Sequence, residues 1–170
     1  MPRERRIVSN LGGRVKPDLT LDAIDRRILA HLQRDAAISH ADLAALVGAS
    51  TASCWRRIKA MEMAGIFVGT VRMVDPAKLD WGVNVLCSVR IVSQIQESSI
   101  SFESFCRQQP EIVECYSMSG DYDYLLRIVA KDVVGYNEFL KSRMLKHPAV
   151  ASAASHFALE TIKFTTALPV

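Results

Sequence analysis

The sequence predicts an α+β fold in two units, an N-terminal group of three helices followed by a C-terminal βαββαβ unit, and three observations lead there. Between Leu21 and Met61 the apolar residues recur at steps of three and four, the period of helices that bury one face. From Val83 onward, short β-branched runs alternate with helical stretches. The Asp75-Pro76 break between these regions also divides the charge. Residues 1–75 hold 12 Lys/Arg against 8 Asp/Glu, whereas residues 76–170 hold 9 against 10, as expected for a polyanion-facing module joined to a neutral one.

With 170 residues, the chain is long enough for one large or two small cores, and its 49% hydrophobic and 23% charged residues exclude disordered and collagen-like classes. No apolar run approaches the roughly 18 residues of a membrane helix, and the basic N-terminus lacks the apolar core of a secretion signal. We therefore expect a cytoplasmic protein without membrane association. Cys54, Cys87, Cys106 and Cys115 are dispersed, as are His31, His40, His147 and His156, so neither a metal nor another cofactor is expected.

Residues 1–19 carry adjacent glycines and basic residues without periodicity, which predicts a flexible basic arm, either a solvated tail or a phosphate-touching one. Leu21, Ile24, Ile28, Leu29 and Leu32 then form the stripe of a first helix, with Thr20 as its expected N-cap. Ser39 and Asp42 open a second helix striped by Leu43, Leu46 and Val47, and Gly48 supplies a left-handed stop. Ser50 caps a third, running to about Ala64, in which Cys54, Ile58 and Met61 share the inward face.

Two helices joined by a short Gly-containing turn, the second presenting polar and basic groups, form a helix-turn-helix. Ser50, Thr51, Ser53, Trp55, Arg56, Arg57 and Lys59 are the candidate DNA-binding residues: hydroxyls can approach base edges and phosphates, and Arg and Lys supply phosphate or guanine contacts. Trp55 either contacts DNA or packs on a wing. Arg57, at the edge of the buried stripe, either touches phosphate or braces the domain against Glu62 or Asp25. Ile66–Val74 reads as a β-segment, a wing or linking strand, which closes a winged helix-turn-helix over residues 20–75.

In residues 76–170, Val83–Val92 reads as a strand and Ser98–Gln109 as a helix stopped by Pro110. Ile112–Met118 and Tyr124–Ala130 make a hairpin around Gly120-Asp121-Tyr122-Asp123, Asp132–Lys146 is a helix, and Val150 to about Thr165 holds the final strand or strands. This order is the ferredoxin-like topology, with both helices on one sheet face and the other face free to meet a second copy. In the hairpin turn, Asp121 and Asp123 are either turn formers or carboxylates that accept a ligand ammonium.

The chain resembles the Lrp/AsnC, or feast/famine, transcriptional regulators over about Leu21–Val170. The resemblance lies in Leu21-Asp22-x-x-Asp25-x-x-Ile28-Leu29-x-x-Leu32-Gln33, then Asp42-Leu43-Ala44 and Val47-Gly48-Ala49-Ser50. It continues through Cys54-x-x-Arg57-Ile58-Lys59-x-Met61-Glu62-x-x-Gly65-Ile66, Gly120-Asp121-Tyr122-Asp123-Tyr124 and the tail Lys163-x-Thr165-Thr166-x-Leu168-Pro169. Thr51 stands where the family frequently has proline, Trp55 and Arg56 are a bulkier and more basic pair than many members carry, and the arm is longer than usual.

The resemblance implies a DNA-binding domain, a hinge strand and a sensing and oligomerisation domain over 76–170. It further implies a homodimer that assembles to a tetramer or octamer, and an effector, an amino acid or related metabolite, bound near Met118, Ser119, Gly120, Asp121, Tyr122 and Asp123. The partner expected from the dimer is double-stranded DNA bearing a roughly palindromic operator. Two rivals share the architecture: a sirohaem-decarboxylase-like enzyme and a metabolite-binding module without DNA function. The basic, hydroxyl-rich third helix weighs against the first, and the intact first 65 residues weigh against the second.

Overall fold

The structure, a computed structural model, describes residues 19–93 and 96–170; the expected arm lies outside them except for Leu19. The chain divides into two compact units. One ends at Arg72 and takes back Lys163–Val170, and the other is Met73–Ile162. The last eight residues thus belong with the helices, although the sequence grouped them with the sensing domain.

Three helices build the first unit: α1 (Ala23–Leu32), α2 (His40–Val47) and α3 (Thr51–Met63). Asp22, two residues beyond the expected Thr20, caps α1. Its carboxylate accepts from the Ile24 and Asp25 amides, and Asp25 answers by accepting from the Asp22 N–H at 3.0 Å, a reciprocal arrangement that a hydroxyl at position 20 is too early to make. Ser39 and Ser50 cap α2 and α3 as expected. Gly48 ends α2 at φ +67°, a conformation that side chains with a Cβ rarely adopt, and so turns the chain within three residues into α3. Ile28, Leu43, Val47, Cys54 and Met61 are fully buried between the three helices.

The expected β-segment at Ile66–Val74 is not a strand among the described residues. A strand needs a ladder partner, and none of the described residues pairs with this segment. Ile66 and Phe67 instead pack against the helical core, and Val68, Val71, Met73 and Val74 are left exposed.

In the second unit, β1 (Val83–Ile91), β2 (Ile112–Ser117), β3 (Tyr124–Ala130) and β4 (Val150–Phe157) form one antiparallel sheet in the order β2-β3-β1-β4. The strand order and the two crossover helices are ferredoxin-like. Alternate residues of β1 and β3, among them Val85, Cys87, Val89, Leu126 and Ile128, are fully buried. They meet Phe102 and Cys106 of α4 (Gln96–Gln108) and Tyr136 and Phe139 of α5 (Val133–Phe139). The expected helix over Asp132–Lys146 is α5 followed by a π-helical turn, Leu140–Met144; Asp132 lies outside as the N-cap, its carboxylate accepting from the Gly135 N–H at 2.7 Å. The final strand stops at Phe157. Beyond it Leu159 and Ile162 are exposed and unpaired as strand.

Candidate DNA-binding and effector sites

On α3 the inward residues Cys54, Ile58 and Met61 leave Thr51, Trp55, Arg56 and Lys59 on the opposite, exposed side. Trp55 is 52% exposed, a large apolar ring held in solvent rather than packed on a wing. Arg56 forms no ion pair among the described residues. Lys59 reaches Glu62 at 2.6 Å, one turn further along the helix.

The remaining candidates work inward. The Ser50 hydroxyl accepts from the Ser53 N–H, and the Ser53 hydroxyl in turn accepts from Arg57 Nε at 3.4 Å. Arg57 Nη1 donates to Asp22 Oδ2 at 2.7 Å and to Asp25 Oδ1 at 2.8 Å. Asp25 is 6% exposed, so a cation beside it is required to offset its desolvation. Hydrogen bonds from the Asp25 amide and from Arg57 hold the Asp22 carboxyl below the usual carboxylate range, and the two carboxylates raise the Arg57 guanidinium above its own. Of the two sequence-level options for Arg57, the bracing one is occupied, with Asp25 and Asp22 as partners; Glu62 is taken by Lys59.

The second site lies at the β2–β3 turn. Gly120 sits at φ +120°, which a side chain would strain, and permits the tight path from Met118 to Asp123. Met118 N–H donates to the Asp123 carbonyl and Asp123 N–H to the Val89 carbonyl, anchoring the turn to β1. The Asp123 carboxylate accepts from the Ile91 N–H at 2.9 Å, where a register shift between Arg90 and Ile91 takes that amide out of the regular ladder with β4. Asp121, in contrast, forms no ion pair among the described residues and lines an open cavity of about 350 Å³ together with Ser88, Met118, Ser119, Tyr122, Tyr124 and Leu125. Arg90 Nε donates to the Asp121 carbonyl at 2.6 Å, and its guanidinium lies 5.1 Å from the centre of the Tyr122 ring.

Of the six effector candidates, Met118, Ser119, Asp121 and Tyr122 line this concavity, whereas Gly120 shapes the turn and Asp123 is tied to the Ile91 N–H. Ser88 and Arg90 were missed by sequence reasoning. They reach the turn because β1 pairs with β3 in a register that sets Val89 opposite Tyr124, a fact no local pattern carries. The arrangement offers a free carboxylate, hydroxyls and an aromatic ring, groups suited to holding a small zwitterion by charge-assisted hydrogen bonds.

Residues 21–62 match the AsnC-type helix-turn-helix domain, and residues 84–168 match the Lrp/AsnC ligand binding domain. The DNA-binding transcriptional activator DecR of Escherichia coli K12 is 37% identical over 150 residues, which is 88% of this chain and 99% of DecR. A Neisseria meningitidis transcriptional regulator solved in complex with L-Met superposes with a TM-score of 0.85 at 32% identity, covering 88% of this chain and 97% of its own. An AsnC family transcriptional regulator from Agrobacterium tumefaciens superposes with a TM-score of 0.83 at 44% identity and the same coverages.

Proposed function

The chain belongs to the Lrp/AsnC family of DNA-binding transcriptional regulators, and we propose that it reads its operator with the exposed side of α3 and answers to an amino acid held at the Gly120–Asp123 turn. The observation that carries the first half is the split of α3 into a buried apolar stripe and an opposite side presenting Thr51, Trp55, Arg56 and Lys59. Inserted in a major groove, Arg56 and Lys59 would neutralise phosphates or meet guanine, and Thr51 would approach base edges near the helix N-terminus. Ser50, Ser53 and Arg57 support that side from behind through the hydrogen-bond chain to Asp22 and Asp25.

The second half rests on the cavity lined by Asp121 and on the Neisseria relative solved with L-Met. Asp121 would accept the ligand ammonium, and Asp123, already committed to Ile91, holds the turn in shape.

We further infer a homodimer, with assembly to a tetramer or octamer, acting in the cytoplasm as a regulator rather than a catalyst. The sheet face away from the helices, with Leu86, Arg90 and Tyr116 exposed, and the exposed apolar side chains of Val68, Val71, Met73 and Val74 support a second copy as partner. Two α3 helices related by a two-fold axis require a roughly palindromic operator with half-sites about one helical turn, or a multiple, apart. Genome-wide mapping of bound sites tests the reading directly. A shared palindromic sequence is expected, and occupancy without sequence preference would overturn it.

A further inference from the structure

Two cysteines that neither site uses lie side by side between a helix and the sheet edge. Cys106 is on the inner side of α4, one turn after Phe102, and is 4% exposed. Cys115 is in β2 opposite Leu126, which is fully buried under the helices. Residues directly opposite in an antiparallel pair project to the same face, so Cys115 also faces the helix layer, where α4 packs on β2. Each thiol is the neighbour that most perturbs the other's ionisation.

They differ in access. β2 is the edge of the sheet and Cys115 is exposed, whereas Cys106 is enclosed. Contact with Cys106 holds the Cys115 thiol below its usual range, and the same contact together with burial pushes Cys106 up. A thiol on an exposed edge-strand residue, shifted toward its ionised form by a neighbouring thiol that burial keeps protonated, is the arrangement of an attacking sulfur and a resolving one. Cys54 lies buried in the other unit, and Cys87 is enclosed beneath β1 against Tyr136 and Ser155.

We propose that Cys106 and Cys115 form an oxidation site that closes a disulfide between α4 and β2 when the protein meets a hydroperoxide. The Cys115 thiolate attacks one peroxide oxygen, forming an S–O bond as the O–O bond breaks and the other oxygen leaves as hydroxide. Cys106 sulfur then attacks Cys115 sulfur; the S–S bond forms, the S–O bond breaks, and the departing hydroxide takes the Cys106 proton. Two thiols are oxidised by two electrons, and one hydrogen peroxide is reduced to two waters. The cross-link falls three residues ahead of Met118 and so restrains the strand that carries the turn, whatever ligand the turn holds.

The test uses the reduced full-length chain treated with equimolar hydrogen peroxide, then alkylated in denaturant and mapped by peptide mass spectrometry without reduction. A Cys106–Cys115 cross-linked peptide that dithiothreitol reverses is expected, with Cys54 and Cys87 still alkylated. Cys106→Ala should stop at a sulfenic acid on Cys115 that dimedone traps, and Cys115→Ser should leave the remaining thiols reduced. Should the wild type give instead four intact thiols, a Cys115–Cys115 bond between copies, or first oxidation at Cys54 or Cys87, the pair is not an oxidation site.

Discussion

Gln33 and Leu168, 135 residues apart, exchange two hydrogen bonds: Gln33 Nε2 donates to the Leu168 carbonyl at 3.1 Å, and the Leu168 N–H donates to Gln33 Oε1 at 2.7 Å. A side-chain amide at the C-cap of α1 thereby imitates the edge of a strand and clasps the last residues of the chain to the helical unit. Each such bond is worth about 0.5–1.5 kcal/mol net, with the lower end expected for exposed groups. Gln33→Ala should therefore raise the hydrogen-exchange rate of the Leu168 amide by roughly tenfold. Gln33→Glu, which keeps the acceptor and loses the donor, should have a smaller effect. Equal exchange in wild type and Gln33→Ala would mean that something other than this clasp holds the tail.

The exposed side of α3 gives a second expectation, in which Arg56 and Lys59 are not equivalent. Arg56→Ala should weaken DNA binding and lower the slope of log affinity against log salt by about 0.9, the contribution of one phosphate contact. Lys59 already has Glu62 as a partner, so Glu62→Gln should tighten binding by freeing that ammonium and removing a nearby negative charge. Electrophoretic mobility or fluorescence anisotropy across a salt series measures both. A salt slope unmoved by Arg56→Ala would remove this side of α3 from the interface.

Arg57 should behave differently, as a brace. Arg57→Ala leaves the nearly buried Asp25 without its cation, and a cost of about 2 kcal/mol, between the exposed and fully buried limits, is expected in urea unfolding. DNA binding should fall with little change in salt slope. The decisive variant is Asp25→Asn. It removes a negative charge, which electrostatics alone would make favourable for binding DNA, yet it should weaken binding by loosening α3 from α1.

These residues also mark how far the sequence could be read. Stripes at helical spacing, the Ser39 and Ser50 caps and the Gly48 stop are local signals, so the helix-turn-helix was legible residue by residue. The βαββαβ order was legible for the same reason. Arg57 was ambiguous because its partners are 32 and 35 residues away, and which carboxylates face it depends on how α1 crosses α3. Ile66–Val74 has strand propensity but no ladder partner among the described residues, and propensity does not supply one. In the turn, the residue types of Asp121 and Asp123 are identical; only the register shift at Arg90/Ile91 assigns one of them to the backbone.

His147 provides a pH dependence. Its ring packs 4.9 Å from Phe105 and 5.9 Å from Phe102, its Nδ1 accepts from the Ala149 N–H at 3.3 Å, and burial lowers its pKa below 6.5. The unfolded chain therefore binds a proton more readily than the folded one. Stability from this residue is present above about pH 6.5 and is lost as pH falls through the depressed folded value. Thermal melts at pH 7.5 and pH 5.5 should show a loss on acidification that His147→Asn reduces, since Asn keeps an acceptor and does not titrate. Identical pH dependence in the two proteins would exclude His147 as its source.

The two aspartates of the β2–β3 turn should separate into different roles. Asp121 lines the cavity and forms no ion pair among the described residues, so Asp121→Ala should leave the melting temperature near wild type while weakening amino-acid binding. A charge-assisted hydrogen bond worth about 1.5–3 kcal/mol corresponds to roughly ten- to a hundredfold in affinity. Asp123 accepts from Ile91 N–H at an irregular point of the β1–β4 ladder, so Asp123→Ala leaves that amide unsatisfied and should lower stability by about 1–3 kcal/mol before any effect on the ligand is considered. L-methionine is the first ligand to try by calorimetry because the Neisseria relative holds it, with the other proteinogenic amino acids as a panel. Asp121→Asn refines the test: it keeps the size and an acceptor but removes the charge, so a loss close to that of alanine identifies an ammonium as the group held. If an amino acid binds wild type and Asp121→Ala with equal affinity, its ammonium is held elsewhere, and Asp121 is only part of the wall.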